Sequence, residues 1–261
     1  MLTSVRGFPA AAALTGAVLA ATPVLADETD PPGAFTVTGE VALVTDYRFR
    51  GLSQSNGRPA VQAGIDVGHK SGFHVSVWAS SIDFPGAGGA VYGGQEVDIS
   101  GGWTGPIGSG LTGDIGLFYY AYPGGHVGKA EFFESYASIS ATLGPVTGKA
   151  GLDYAWKQAA LNLDDGSTGD SLYLYGEVGG GIPRTPLSLS AHLGYATGAL
   201  SPKFATGASM SARSGGFDWS VGATFNVTKN LSLTGEYVGV EGNSIAGYSN
   251  DTVVGTLKFS F

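Results

Sequence analysis

Apolar and polar residues alternate along most of this chain, yet no stretch supplies eighteen consecutive apolar residues. A period of two is the signature of a strand, because successive side chains point to opposite faces. A membrane-spanning helix is excluded, since it needs roughly 20 apolar residues in a row. A barrel that is oily outside and polar inside fits the alternation. The last segment shows it plainly. Val253, Gly255, Leu257, Phe259 and Phe261 share one face; Val254, Thr256, Lys258 and Ser260 share the other. Exposed in water, such an aromatic edge strand invites aggregation, whereas barrel closure pairs it.

Composition points the same way. Only 13% of the 261 residues are charged, against roughly 25% in soluble domains. Glycine numbers 44, well above the usual ~7%. A hydrophobic content of 43% with regular patterning argues against glycine-rich disorder. The absence of cysteine rules out disulfides, thiolate metal sites and a lipid-anchored terminus. A net charge of −8 argues against nucleic acid as a partner. Arg6, the small-residue stretch Ala10 to Ala21 and the A-x-A-like Val24-Leu25-Ala26 read as a secretory signal peptide over residues 1–26, cleaved after export. The remainder, 27–261, then forms one outer-membrane barrel domain.

Twelve alternating segments are expected near 35–50, 59–69, 72–82, 95–104, 111–122, 132–143, 146–157, 171–180, 187–196, 217–227, 231–240 and 253–261. Most match the ~9–11 residues that cross a bilayer as a tilted strand. Connections after even-numbered segments are short, and those after odd-numbered ones are mostly long. That asymmetry, with an even count, predicts an all-β, transmembrane, antiparallel up-and-down barrel of 12 strands with short periplasmic turns. The outer membrane of a Gram-negative bacterium is the expected location. Aromatics near segment ends, among them Tyr119, Tyr122, Phe133, Tyr154, Trp156, Tyr195, Phe217, Trp219 and Tyr237, are expected to form interfacial girdles.

The stretch VALVTDYRFRGLSQSNGRPAVQAGIDV, Val41 to Val67, resembles the opening of TorF-family porin-like proteins of proteobacteria. The likeness continues through Val77-Trp78-Ala79-Ser80, the EVDIS stretch from Glu96, and YYAYPGG from Tyr119 to Gly125. It is specific over residues 37–125 and thinner beyond. This resemblance implies an outer-membrane barrel with a channel role, and supplies no catalytic or binding residues.

If the apolar faces meet lipid, the charged positions fall on the opposite, lumenal face. These are Asp46, Arg48, Arg50, Asp66, Glu96, Asp98, Asp114, Glu134, Lys149, Asp153, Lys157, Glu177, Glu236 and Lys258, with Glu40 and Asp218 sharing the pattern. A cost of ~2–4 kcal/mol for Lys or Arg facing mid-membrane lipid would enforce this placement. Acids outnumber bases, so a lumen so lined would mildly prefer cations. Alternatively the charges pair and fill the interior, as in small barrels. Asp46, Arg48 and Arg50 are expected inward near the outer end of strand one, with Tyr47 and Phe49 outward. The two arginines could capture an anionic group or hold the rim and the loop Gly51 to Arg58 in a salt-bridge lattice.

Enzyme chemistry has little footing. His74 with Ser76 and His192 with Ser190 share strand faces, but no G-x-S-x-G elbow is present. His69 falls at a turn, His126 in a long loop, and no histidine pair has metal-ligand spacing. No catalytic residue, cofactor or metal is therefore expected. The expected partners are outer-membrane lipid, small solutes or ions, and the barrel-assembly machinery through the strand ending at Phe261.

Overall fold

A computed structural model describes residues 33–84, 92–125, 130–161, 167–209 and 215–261. Residues 1–26 and His126 lie outside them. Among the described residues fourteen strands follow in chain order: β1 Phe35–Val44, β2 Arg48–Phe49, β3 Leu52–Ser53, β4 Ala60–His69, β5 Phe73–Ser81, β6 Gln95–Gly108 and β7 Leu111–Ala121. Then come β8 Phe132–Leu143, β9 Val146–Ala155, β10 Ser171–Gly181, β11 Leu187–Gly198, β12 Gly216–Asn226, β13 Leu231–Val240 and β14 Thr252–Ser260. A one-turn helix, α1 (Pro202–Ala205), precedes β12.

Twelve of these strands, all but β2 and β3, close into one antiparallel barrel, as the alternation predicts. Closure is made by β1, which pairs with β4 on one side and β14 on the other. Leaving no free edge is what permits a sheet with an oily outer surface. The short turns, such as Ser109-Gly110 and Gly144-Pro145, gather at one end with the start of β1 and the close of β14. The longer connections gather at the other.

Burial is inverted relative to a water-soluble protein. Val61, Ile65, Leu189, Leu193, Val221 and Val253 are exposed, whereas Gln62, Glu96, Glu134, Asp218 and Ser220 are buried. Each pair of classes alternates along a strand, so the polar face is the inner one. Outward rings meet near the long-loop end, where Tyr119, Phe133 and Trp156 contact in series and Tyr195 meets Phe217. Tyr122 departs from the expected girdle, being buried with its hydroxyl on Glu96 at 3.3 Å.

The largest correction concerns the first segment. Expected to run to residue 50, β1 stops at Val44, and the chain turns into the lumen. Tyr47, expected outward, is 4% exposed and packs edge-on against Trp78. With Phe118, Tyr120, Phe132 and Tyr136 these rings make a buried cluster inside the long-loop half of the barrel.

Candidate functional site

The inward turn is organised by Asp46. Its Oδ1 accepts from Ser53 Oγ at 2.5 Å and Ser55 Oγ at 3.1 Å, and its Oδ2 accepts from Arg48 Nε at 2.5 Å. Arg48 then donates through Nη1 to the carbonyls of Gly51, Tyr248 and Asn250 at 2.9–3.1 Å. Ser55 Oγ also receives the Tyr47 amide, and the β2–β3 pair forms a miniature hairpin. The turn is thus folded by its own polar groups, and the Ser53 amide ties it to the Tyr248 carbonyl of the loop before β14.

Arg50 stands at the tip of this hairpin. Its backbone is left-handed (φ 48°), and Gly51 follows at φ 78°. The side chain reaches the wall formed by β8 and β9. Around the ring of twelve strands, β9 is six steps from β1 in either direction. The loop therefore crosses the whole mouth. There Arg50 Nη2 donates to Glu134 Oε1 and Oε2, both at 2.9 Å, and to Asp153 Oδ2 at 3.2 Å. Tyr120 donates to the same Glu134 at 3.1 Å, and the guanidinium lies 4.1 Å from the Tyr173 ring centre. Burial works against the charge, but Glu134 and Asp153 outweigh it and hold the Arg50 pKa above its ordinary value.

Below the loop, the wall carries mixed charge. Lys258 pairs with Glu40 at 3.3 Å. His74 meets Asp114 at 3.3 Å and the Tyr136 hydroxyl at 3.4 Å. His192 meets Asp218 at 3.0 Å, the Tyr173 hydroxyl at 2.8 Å and Glu177 at 3.4 Å. Lys149 sits 5.2 Å from the Tyr175 ring centre. Glu177, Glu40 and Lys258 keep side-chain exposures of 27–30%, so this half admits water, unlike the packed mouth.

The sequence-derived set divides accordingly. Asp66, Glu96, Asp98, Asp114, Glu134, Lys149, Asp153, Glu177, Glu236 and Lys258 stand on barrel strands, at positions alternating with the exposed apolar ones. Asp46, Arg48 and Arg50 belong to the infolded loop rather than to strand one. Lys157 lies past the end of β9 and is exposed, outside the strand wall. Arg58, at the far end of the loop, pairs with Asp83 at 2.6 Å near the surface. Tyr120 and Tyr173 went unnamed by sequence reasoning, although each shares strand parity with a lumenal acid, Asp114 and Glu177. Among the described residues neither His74 nor His192 bonds a serine, and Ser76 Oγ donates instead to the Ile65 carbonyl at 3.4 Å; His69 does meet Ser71 Oγ, at 2.7 Å, in the turn between β4 and β5.

A family described as "Bacterial protein of unknown function (Gcw_chp)" matches residues 28–260. No curated protein matches the chain. Among solved structures, the NanC porin is similar at a TM-score of 0.57 and 11% identity, over 87% of this chain and 99% of that one. The KdgM porin in complex with disordered oligogalacturonate gives 0.55 and 9%, over 87% and 99%. The COG4313 outer membrane channel from Pseudomonas putida F1 gives 0.51 and 11%, over 91% and 99%. Such low identities speak to the fold alone.

Proposed function

We propose that this chain, which belongs to the Gcw_chp family of bacterial proteins, is a narrow outer-membrane channel for passive diffusion of small hydrophilic solutes or ions, with a mild preference for cations. The observation that carries the reading is the inner wall. Carboxylates from many strands face a closed lumen whose outer surface is apolar, and they outnumber the basic side chains that pair with them among the described residues. A wall so charged lowers the barrier for cations and raises it for anions. The porin fold of NanC, KdgM and the COG4313 channel supports the channel class. An acidic wall points to a different solute charge from the oligogalacturonate held by KdgM.

The finer parts of the reading travel with it: export through a cleaved leader over residues 1–26, short turns on the periplasmic side, lipid around the apolar band, engagement of the assembly machinery by the strand ending at Phe261, and kinship to TorF-like porins through residues 41–67. A sealed, structural barrel is the second reading, favoured by the packed aromatic cluster in the mouth. A catalytic role finds no support at lumenal His74 or His192, neither of which pairs with a serine among the described residues.

Planar bilayers in asymmetric KCl separate these. The channel gives stepwise currents and a reversal potential of cation-selective sign. A folded barrel that adds no current supports the sealed reading, and an anion-selective sign removes the cation preference.

A further inference from the structure

We propose that the β8–β9 wall is a guanidinium-binding site, filled in this structure by the chain's own Arg50, so that the loop from residue 45 to 59 is a tethered plug. The inference rests on the channel reading and deepens it by naming what holds the mouth shut and which solutes compete.

The site belongs to the wall, not to the loop. Glu134 is fully buried and is held by the Tyr120 hydroxyl at 3.1 Å; Asp153 stands beside it, and Tyr173 offers its ring face at 4.1 Å. Two carboxylates and an aromatic face match what a planar guanidinium recognises. Two further acids stand on the same side of the barrel. Glu96 and Asp98 on β6, two strands from β8, are buried, and Glu96 Oε2 and Asp98 Oδ1 accept no hydrogen bond among the described residues. Arg50 is the one described basic side chain ion-paired to Glu134 or Asp153.

The division of labour between the two arginines supports a plug. Arg48 is spent inside the loop and on the neighbouring loop carbonyls, so the hairpin keeps its own fold. Arg50 faces outward from that hairpin and is the ionic link to the far wall. Its left-handed backbone is a conformation that a non-glycine residue adopts at a cost, sustained by the contacts across the lumen.

The fit is incomplete, and that is what makes the plug displaceable. All three hydrogen bonds to the wall acids use the single nitrogen Nη2, while Nε and Nη1 have no hydrogen-bond partner among the described residues. The tether prevents Arg50 from presenting its full fork. An untethered guanidinium can turn and present two edges to the same carboxylates. A small cavity also borders Arg50, lined in part by Asp218 and Ser220, whose Oδ2 and Oγ likewise have no hydrogen-bond partner among the described residues. A mouth packed without such a gap would resist release more strongly.

The test uses the full-length folded barrel and two readouts. In bilayers, Arg50→Ala is expected to raise conductance in KCl several-fold. Millimolar guanidinium chloride should then block the variant's current, and the block should vanish in Arg50→Ala combined with Glu134→Gln. In detergent, chymotrypsin should cut after Tyr47 or Phe49 readily in Arg50→Ala. In the wild-type barrel, cutting should rise with guanidinium but not with KCl of equal ionic strength. Loss of heat-modifiable migration on a gel identifies a misfolded variant; Arg50→Lys then takes the place of Arg50→Ala, with cutting intermediate between wild type and no latch. Unchanged loop cleavage in folded Arg50→Ala, or cleavage blind to guanidinium, overturns the site. If no barrel carries current, the channel reading fails, and the cleavage results still decide the site.

Discussion

Gly51 shows how much hangs on single atoms at the mouth. It follows Arg50 with a φ of 78°, and a Cβ placed there would stand 2.8 Å from Val240 Cβ and 3.0 Å from the Gly239 carbonyl. Alanine would therefore meet both a left-handed penalty and a clash, together about 1–2 kcal/mol against seating the loop. One or two kcal/mol is a factor of roughly 5–30 in a local equilibrium. Hydrogen exchange at the Ser53 and Gln54 amides, which bond the carbonyls of Tyr248 and Tyr47, should accelerate by that factor in Gly51→Ala. Amides on β12 should stay protected. Equal acceleration at both places would mean that the tip is not a separate unit. At this scale the sequence misled in one instructive way. Asp46, Arg48 and Arg50 continue the every-second-residue rhythm of β1, so parity alone extends the strand through them. The countersignal is local: Gly51 directly after Arg50, then the run Ser53 to Gly57, whose serine hydroxyls and turn-forming Asn-Gly suit a self-folded turn.

The strands themselves were legible because alternation is forced by the two environments they separate. Segments expected at 132–143, 231–240 and 187–196 are observed at Phe132–Leu143, Leu231–Val240 and Leu187–Gly198. Ends were less legible, since a strand stops where its partner does. The β6 strand runs to Gly108 instead of 104 because its bulge near Pro106 still pairs with β7. Partners across the lumen were illegible, because Arg50 and Asp153 are 103 residues apart and no period links them. The element scale also supplies a prediction. Val221 lies mid-β12 and is 62% exposed. In a water-soluble protein, arginine at such a site changes stability by about 0.5 kcal/mol or less. Facing lipid, Val221→Arg should cost roughly 2–4 kcal/mol, read by urea unfolding in lipid vesicles. A cost near zero would place that face in water.

At the scale of the whole molecule, the account is one of inverted solvents: hydrocarbon outside, water and paired ions within. Four tryptophans allow that to be read optically. Trp219 lies along the outer surface, its ring covering Gly239 on β13. Trp78 is 7% exposed and packs inward against Tyr47. Two single-tryptophan proteins, keeping one or the other and phenylalanine elsewhere, can be folded into vesicles whose acyl chains carry bromine, a contact quencher. The barrel predicts strong quenching of Trp219 and little of Trp78. Quenching of Trp78 with Trp219 bright, or neither dimmed, would contradict it.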